Sequence, residues 1–176
     1  GTYAIAGLSA AEYEGRFAPW EHNSDNGTGF LPEYYDDVSD GGEATPVPVA
    51  FEELVSGIDA DLEIGGSIAG TVTGDGAPLK GVMIEAYDDV TDRWYSTYTA
   101  ADGTYEIDAM FPGEYVVDFD AWEYNNTYDT SFLEEYYDDA RMWDEATLVP
   151  VDVAEHTPGI DADLEIGGTI SGTVTG

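Results

Sequence analysis

The pentapeptide Glu-Tyr-Tyr-Asp-Asp occurs twice, at 33–37 and 135–139. Carboxylates wrapped around paired tyrosines suit several chemistries: an oxygen cage for calcium, an aromatic platform for sugar, an acid pair for catalysis, or plain packing. Calcium takes about 6 to 8 oxygen ligands. The Asp-rich groups able to supply them are Asp88, Asp89 and Asp92, and Asp138 with Asp139. No Asp-x-Asp-x-Asp-Gly loop with a closing Glu accompanies them, so an acidic surface is the alternative. Trp122, Tyr124, Tyr136, Tyr137 and Trp143 lie close in sequence. Aromatic faces beside carboxylates bind carbohydrate through amphipathic contact and directed hydrogen bonds; the competing reading is a small core that pins a long loop. Trp20, Tyr34 and Tyr35 repeat three of the aromatic positions, which favours packing for that subset. Asn26 and Asn125 each begin an Asn-x-Thr sequon, a candidate glycosylation acceptor.

Catalysis finds little support in the same residues. There is no cysteine, and of the two histidines His22 aligns with Tyr124 and His156 with Leu54, so neither position recurs. A Ser-His-Asp set or a zinc site needs convergent residues that the two copies do not share. Carboxylate pairs hydrolyse glycosides when held about 5 to 9.5 Å apart across a cleft, which a loop rich in solvated acids does not suggest. The chain is expected not to be an enzyme and to require no cofactor, with calcium the one ion left open.

The doubling has a wider cause. Residues 30–74 align without a gap on 132–176, an offset of 102, with 30 of 45 positions identical. The offset continues upstream, where Gly-Thr-Tyr-Ala-Ile at 1–5 meets Gly-Thr-Tyr-Glu-Ile at 103–107, and Tyr13, Phe17 and Trp20 meet Tyr115, Phe119 and Trp122. About a hundred residues suit an independent domain rather than a solenoid repeat. The expected organisation is a partial repeat at 1–64 that lacks its first strands, a complete one at 65–166, and the first strand of a following repeat at 167–176. That last strand, with Thr169, Ile170, Gly172 and Val174, matches the opening strand that the first unit lacks. Either the sequence is an excerpt from a longer polymer, or another chain completes the open unit.

Thirty-eight acidic residues against Lys80, Arg16, Arg93 and Arg141 give a formal charge of -34. That sign repels nucleic acid and anionic lipid. No apolar run of spanning length occurs, so membrane insertion is not expected. With 43% hydrophobic and 13% aromatic residues the chain should fold. Self-repulsion of this size points to a saline setting, where the Debye length shrinks to about 3 Å at 1 M salt, or to bound divalent cations.

Short alternating segments broken by Gly, Pro and Asp predict an all-β protein of seven-stranded sandwich domains. The complete unit should place strands at 67–73, 82–87, 93–99, 104–108, 114–120, 147–153 and 159–166. Inward faces fall on Ile68, Gly70 and Val72; on Val82, Ile84 and Ala86; on Tyr115, Val117 and Phe119; on Val149, Val151 and Val153; and on Ile160, Ala162, Leu164 and Ile166. The span 122–146 reads as a long loop with a helical turn near 132–140.

The stretches GGSIAGTVTGDGAPLKGVMIEAYD, TAADGTYEIDAMFPGEYVV, FLPEYYDD and GIDADLEIGG together resemble the carboxypeptidase regulatory-like repeats of bacterial and archaeal surface proteins. These belong to the transthyretin-like or prealbumin-like, Ig-like group of sandwiches, near the collagen-adhesin B-type repeats. The resemblance implies an extracellular or cell-surface, non-catalytic β-sandwich. An adhesin-type isopeptide bond is not expected, because Lys80 sits in a turn and the last strand has no asparagine. The function expected is a structural repeat of a surface filament, stalk or sheath, joined head to tail with copies of itself by covalent repetition or strand donation. The alternative is an adhesin or accessory module that binds polysaccharide through the aromatic loop.

Overall fold

The computed structural model describes all residues, 1–176. It is mainly β, and it divides into two compact units, Gly1–Ile64 and Gly65–Gly176. No helix is long and apolar enough to cross a membrane.

The first unit holds β1 (Ala11–Tyr13), β2 (Arg16–Phe17), α1 (Trp20–Asn26), β3 (Glu33–Tyr34) and β4 (Val47–Val49). β1 pairs antiparallel with β4 and β2 with β3, as two separate small sheets. Residues 1–10 and 50–63 form no strand.

The second unit holds β5 (Gly66–Gly74), β6 (Ala77–Pro78), β7 (Met83–Asp88), β8 (Arg93–Tyr98), β9 (Thr104–Met110), β10 (Gly113–Asp120), α2 (Trp122–Tyr128), β11 (Glu135–Tyr136), β12 (Val149–Val151), β13 (His156–Pro158) and β14 (Ala162–Leu164). One sheet runs β11-β10-β7-β8, with β12 also on β10. The other centres on β5, which pairs antiparallel with β9 and β6 and parallel with β13 and β14. Apolar residues at every second position turn inward from each sheet, the period of a half-buried strand. Ile68, Val72, Ile107, Ile160 and Leu164 meet Ile84, Ala86, Tyr115, Val117 and Phe119 in one core.

The expected inward faces hold on β5, β7 and β10, with three departures. Gly70 is half-buried because its missing side chain admits the chain of Ile160: a Cβ there would stand 2.0 Å from the Ile160 carbonyl oxygen. Val153 and Ile166 are exposed, since β12 ends at Val151 and β14 at Leu164, short of the predicted 147–153 and 159–166. β6, β11 and β13 are strands of two or three residues that hydropathy alternation is too short to reveal.

The helical turn lies at Trp122–Tyr128, not at 132–140. The Asp120 carboxylate accepts the Trp122 amide at 2.7 Å, and Asp129 ends the helix in the left-handed region at φ 54°. Residues 135–140 instead make a strand and a tight return, in which the Tyr136 amide donates to the Ala140 carbonyl at 2.9 Å and the Ala140 amide donates back at 3.1 Å. Asp138 and Asp139 sit in the left-handed region, at φ 70° and 60°, as do Asp36 and Asp37 at 78° and 59°. Aspartate tolerates that conformation better than most residues. The doubled Asp-Asp is thus a backbone requirement of the turn in both copies.

Candidate functional site: an open groove and an aromatic face

Two surfaces gather side chains that packing leaves unfinished. The first is an open groove of about 870 Å³ in the first unit, lined by the apolar faces of Ile5, Phe17, Phe30 and Leu62 and by the charged Glu14, Arg16 and Asp61, with Tyr3 among them. Tyr3 and Phe17 meet edge to face at 5.9 Å and 73°. The Tyr3 hydroxyl donates to the Ile58 carbonyl at 2.5 Å. The Asn23 amide clamps Phe30, donating to its carbonyl at 2.8 Å and accepting its amide hydrogen at 3.1 Å. His22 lies 5.8 Å from the Phe30 ring, as Tyr124 lies 5.8 Å from Phe132 in the second unit. His22 stays exposed on α1 and lines the groove.

The second surface is the outer face of the sheet formed by β8, β7, β10 and β11. Register places Tyr87 beside Trp94 and Val116, and Glu85 beside Ser96 and Asp118, with Tyr136 next to Asp118. Trp143 bridges Tyr87 and Tyr136, with ring centroids 5.4 Å and 6.0 Å away. Its side chain stays 42% exposed. The Tyr87 hydroxyl donates to Asp92 at 2.9 Å. Asp118 has a buried carboxylate oxygen with no partner. Burial, followed by repulsion from Glu134, Asp120 and Glu85, pushes its pKa up to about 7. Burial and the same acidic neighbours raise Glu85 as well.

The expected site residues separate on this map. Tyr124 and Tyr137 turn inward against the core, whereas Trp122 stands exposed on α2. Only Tyr136 and Trp143 of the five aromatics share a surface, and Tyr87, Trp94, Glu85 and Asp118 join them. Those four were missed because they belong to regular strands, where outward residues read as solvated; cross-strand register is what makes them neighbours. The residues named for calcium do not converge. No group of three or more His, Asp or Glu is placed to hold a metal ion. The buried Asp88 carboxylate accepts the Val90 amide and the Thr91 hydroxyl, at 2.9 and 2.7 Å. Burial alone would raise its pKa, but these hydrogen bonds and Arg93 hold it below the usual range. Asp92 serves Tyr87, Asp138 accepts the Thr147 hydroxyl at 3.0 Å, and Asp139 turns the chain.

Asn125 spends its amide on Phe132, donating to the carbonyl at 2.8 Å and accepting the amide hydrogen at 2.8 Å. Asn26 is exposed at the end of α1, where it donates to the His22 carbonyl at 2.9 Å. Thr169, Ile170, Gly172 and Val174 lie exposed and outside every strand. Lys80 is exposed in its turn. Ser67, His156 and Glu106 form a set that the sequence did not suggest, but both contacts fall on Nδ1 of His156, at 2.9 Å and 3.6 Å. A relay between acid and nucleophile needs the two ring nitrogens to face different partners, so this set ties β13 to β5 and β9.

Residues 67–135 match the carboxypeptidase regulatory-like domain family. No curated protein matches the chain. The second unit therefore carries a carboxypeptidase regulatory-like domain, covering β5 through the start of β11.

Proposed function

We propose that this carboxypeptidase regulatory-like domain is one unit of a structural repeat array in an extracellular filament, stalk or sheath, and that it is not an enzyme. In this reading the chain carries tandem Ig-like sandwich units at an offset of 102 residues, with 65–166 a whole unit, 1–64 part of another, and 167–176 the opening strand of the next. The observation that carries it is the pair of copies. Asn23 and Asn125 make the same clamp, Tyr34 and Tyr136 the same turn, and β1 with β4 repeats the pairing of β10 with β12. Repeated packing without a repeated reactive set is what a spacer needs. The charge of -34 keeps neighbouring arrays apart and suits a saline exterior. Immunogold labelling of intact cells that make the protein should decorate surface fibres or a sheath. Label confined to the cell interior would overturn the proposal.

A second reading has its own observation, the contiguous rings of Tyr87, Trp143 and Tyr136 with carboxylates beside them. Stacking on exposed rings is how sugar-binding surfaces gain area, so the face would attach the array to polysaccharide. Trp143→Ala, folded but silent on a glycan array to which the parent chain binds, is the expected result. Parent binding that survives the substitution would remove this reading.

A further inference from the structure

We infer that the outer face of the second unit binds a saccharide carrying a free ammonium group, held against Tyr136 and Trp143 over the carboxylates of Asp118 and Glu85. This rests on the sugar-binding reading of that face and names the class of sugar it takes.

Cross-strand register sets Glu85 of β7 beside Asp118 of β10, and Asp118 beside Tyr136 of β11. Asp120 follows on the same face of β10, and Glu134 accepts the Tyr136 hydroxyl at 3.4 Å. Every charged side chain that bears on Asp118 is an acid: Glu134, Asp120 and Glu85. The cations of this unit are engaged elsewhere. Arg141 reaches Glu135 and Glu165, at 3.7 and 2.7 Å, and Arg93 lies over the Phe111 ring at 4.1 Å. Lys80 stands exposed in its turn. One oxygen of Asp118 is buried without a hydrogen-bond partner, and burial with this repulsion is what lifts its pKa to about 7. A positive group over the cluster relieves a repulsion that no side chain of the unit relieves. A uronate or a sulfated sugar would add to it.

The first unit shows the same place with a cation in it. Arg16 stands 102 residues before Asp118, and it pairs with Tyr34 across β2 and β3 as Asp118 pairs with Tyr136 across β10 and β11. Its guanidinium carbon lies 5.6 Å from the centre of the Tyr34 ring and 4.8 Å from that of Trp20, within the reach of a cation–π contact. The tyrosine of this turn therefore holds a cation where the chain supplies one. In the second unit the chain supplies a carboxylate instead, and Trp143 stands where the first unit has Gly41. Both differences act at one spot, adding negative charge and ring area together. Rings and acids lie within one cross-strand step, so a stacking face and a positive group must arrive together. An amino sugar carries its ammonium directly on a ring whose CH face stacks on aromatic side chains, whereas a lysine holds its ammonium at the end of a flexible stem. Asp118 is half-buried, so salt screens this contact less than it screens the open surface.

Isothermal titration of the full-length chain at neutral pH with short oligomers of glucosamine, N-acetylglucosamine, a uronic acid and lysine tests this. The glucosamine oligomer should bind at least about tenfold more tightly than its acetylated form, the scale of a partly desolvated contact between a cation and a ring. The uronate oligomer should not bind. Trp143→Ala and Asp118→Asn should each weaken the glucosamine oligomer at least about tenfold. Asp75→Asn removes the same charge from the exposed turn between β5 and β6, on the other sheet, and should leave binding unchanged. Equal losses from Asp75→Asn and Asp118→Asn would mean that the ligand merely follows net charge, and would overturn the inference. So would a lysine oligomer held as tightly as the glucosamine oligomer and lost with the same substitutions. Equal affinity for the acetylated oligomer, lost in Trp143→Ala, would overturn the ammonium requirement and leave the sugar-binding reading standing. If no saccharide binds, both fall.

Discussion

The decapeptide GIDADLEIGG occurs at 57–66 and at 159–168, and it behaves differently in the two places. In the second unit it forms β14 alongside β5, and Ile160, Ala162 and Leu164 are buried. In the first unit no strand forms over 57–63, Ala60 is exposed, and a single bridge joins Ile64 to Phe30. The turn at 33–38 and its copy at 135–140 show the opposite behaviour, with the same left-handed aspartates and the same return in both. Structure fixed by neighbours in sequence survives the loss of a partner strand; structure fixed across the sheet does not. This is the expected context dependence of β-strands, whose stability comes from cross-strand packing.

The largest effect should come from Gly70→Val, which forces a side chain into the Ile160 backbone. It should cost about 3 kcal/mol or more in urea unfolding, whereas Gly172→Val should leave stability unchanged. Next, Leu164→Ala should cost about 2–5 kcal/mol, the usual range for a buried leucine. Leu62→Ala, in the open copy, should cost less than about 1 kcal/mol. Equal losses would mean that the first unit is closed in solution.

Asp118 gives a pH signature confined to the second unit. Its folded pKa, about 7, lies above its ordinary value of 3.8. The folded state therefore holds the proton more tightly, and the contribution to stability is present below pH 3.8 and lost as pH rises towards about 7. Asp118→Asn should flatten that slope and raise stability at pH 8 by about 1–3 kcal/mol, less at high salt because neighbouring carboxylates cause part of the shift. Thermal melts between pH 4 and 8 read this directly. The smallest effect, and the most even, belongs to the turn: Asp36→Ala and Asp138→Ala should each cost about 1 kcal/mol, because the conformation and the threonine contact are local in both copies.

Much of the architecture was legible from residues because alternation and repetition are local or self-aligned signals. Val82, Ile84, Ala86, Tyr115 and Phe119 announce their burial by spacing alone. Gly70, Asp138 and Asp139 are harder to read: their identities answer backbone demands, a close approach in one case and a left-handed turn in the others, and an Asp-Asp pair looks the same whether it bends a chain or binds a cation. The aromatic face was only partly visible. Trp143 meets Tyr87 across 56 residues of sequence, and no spacing rule links them. The groove was not legible at all, because the Tyr3–Phe17 contact that lines it follows from no spacing rule.

The closing segment GIDADLEI becomes a strand only beside a partner such as β5. Amide hydrogen exchange on the full-length chain tests this most directly. Protection at Ala162 to Leu164 with fast exchange at the identical Ala60 to Leu62 is the predicted result. Equal protection of the two copies would contradict it.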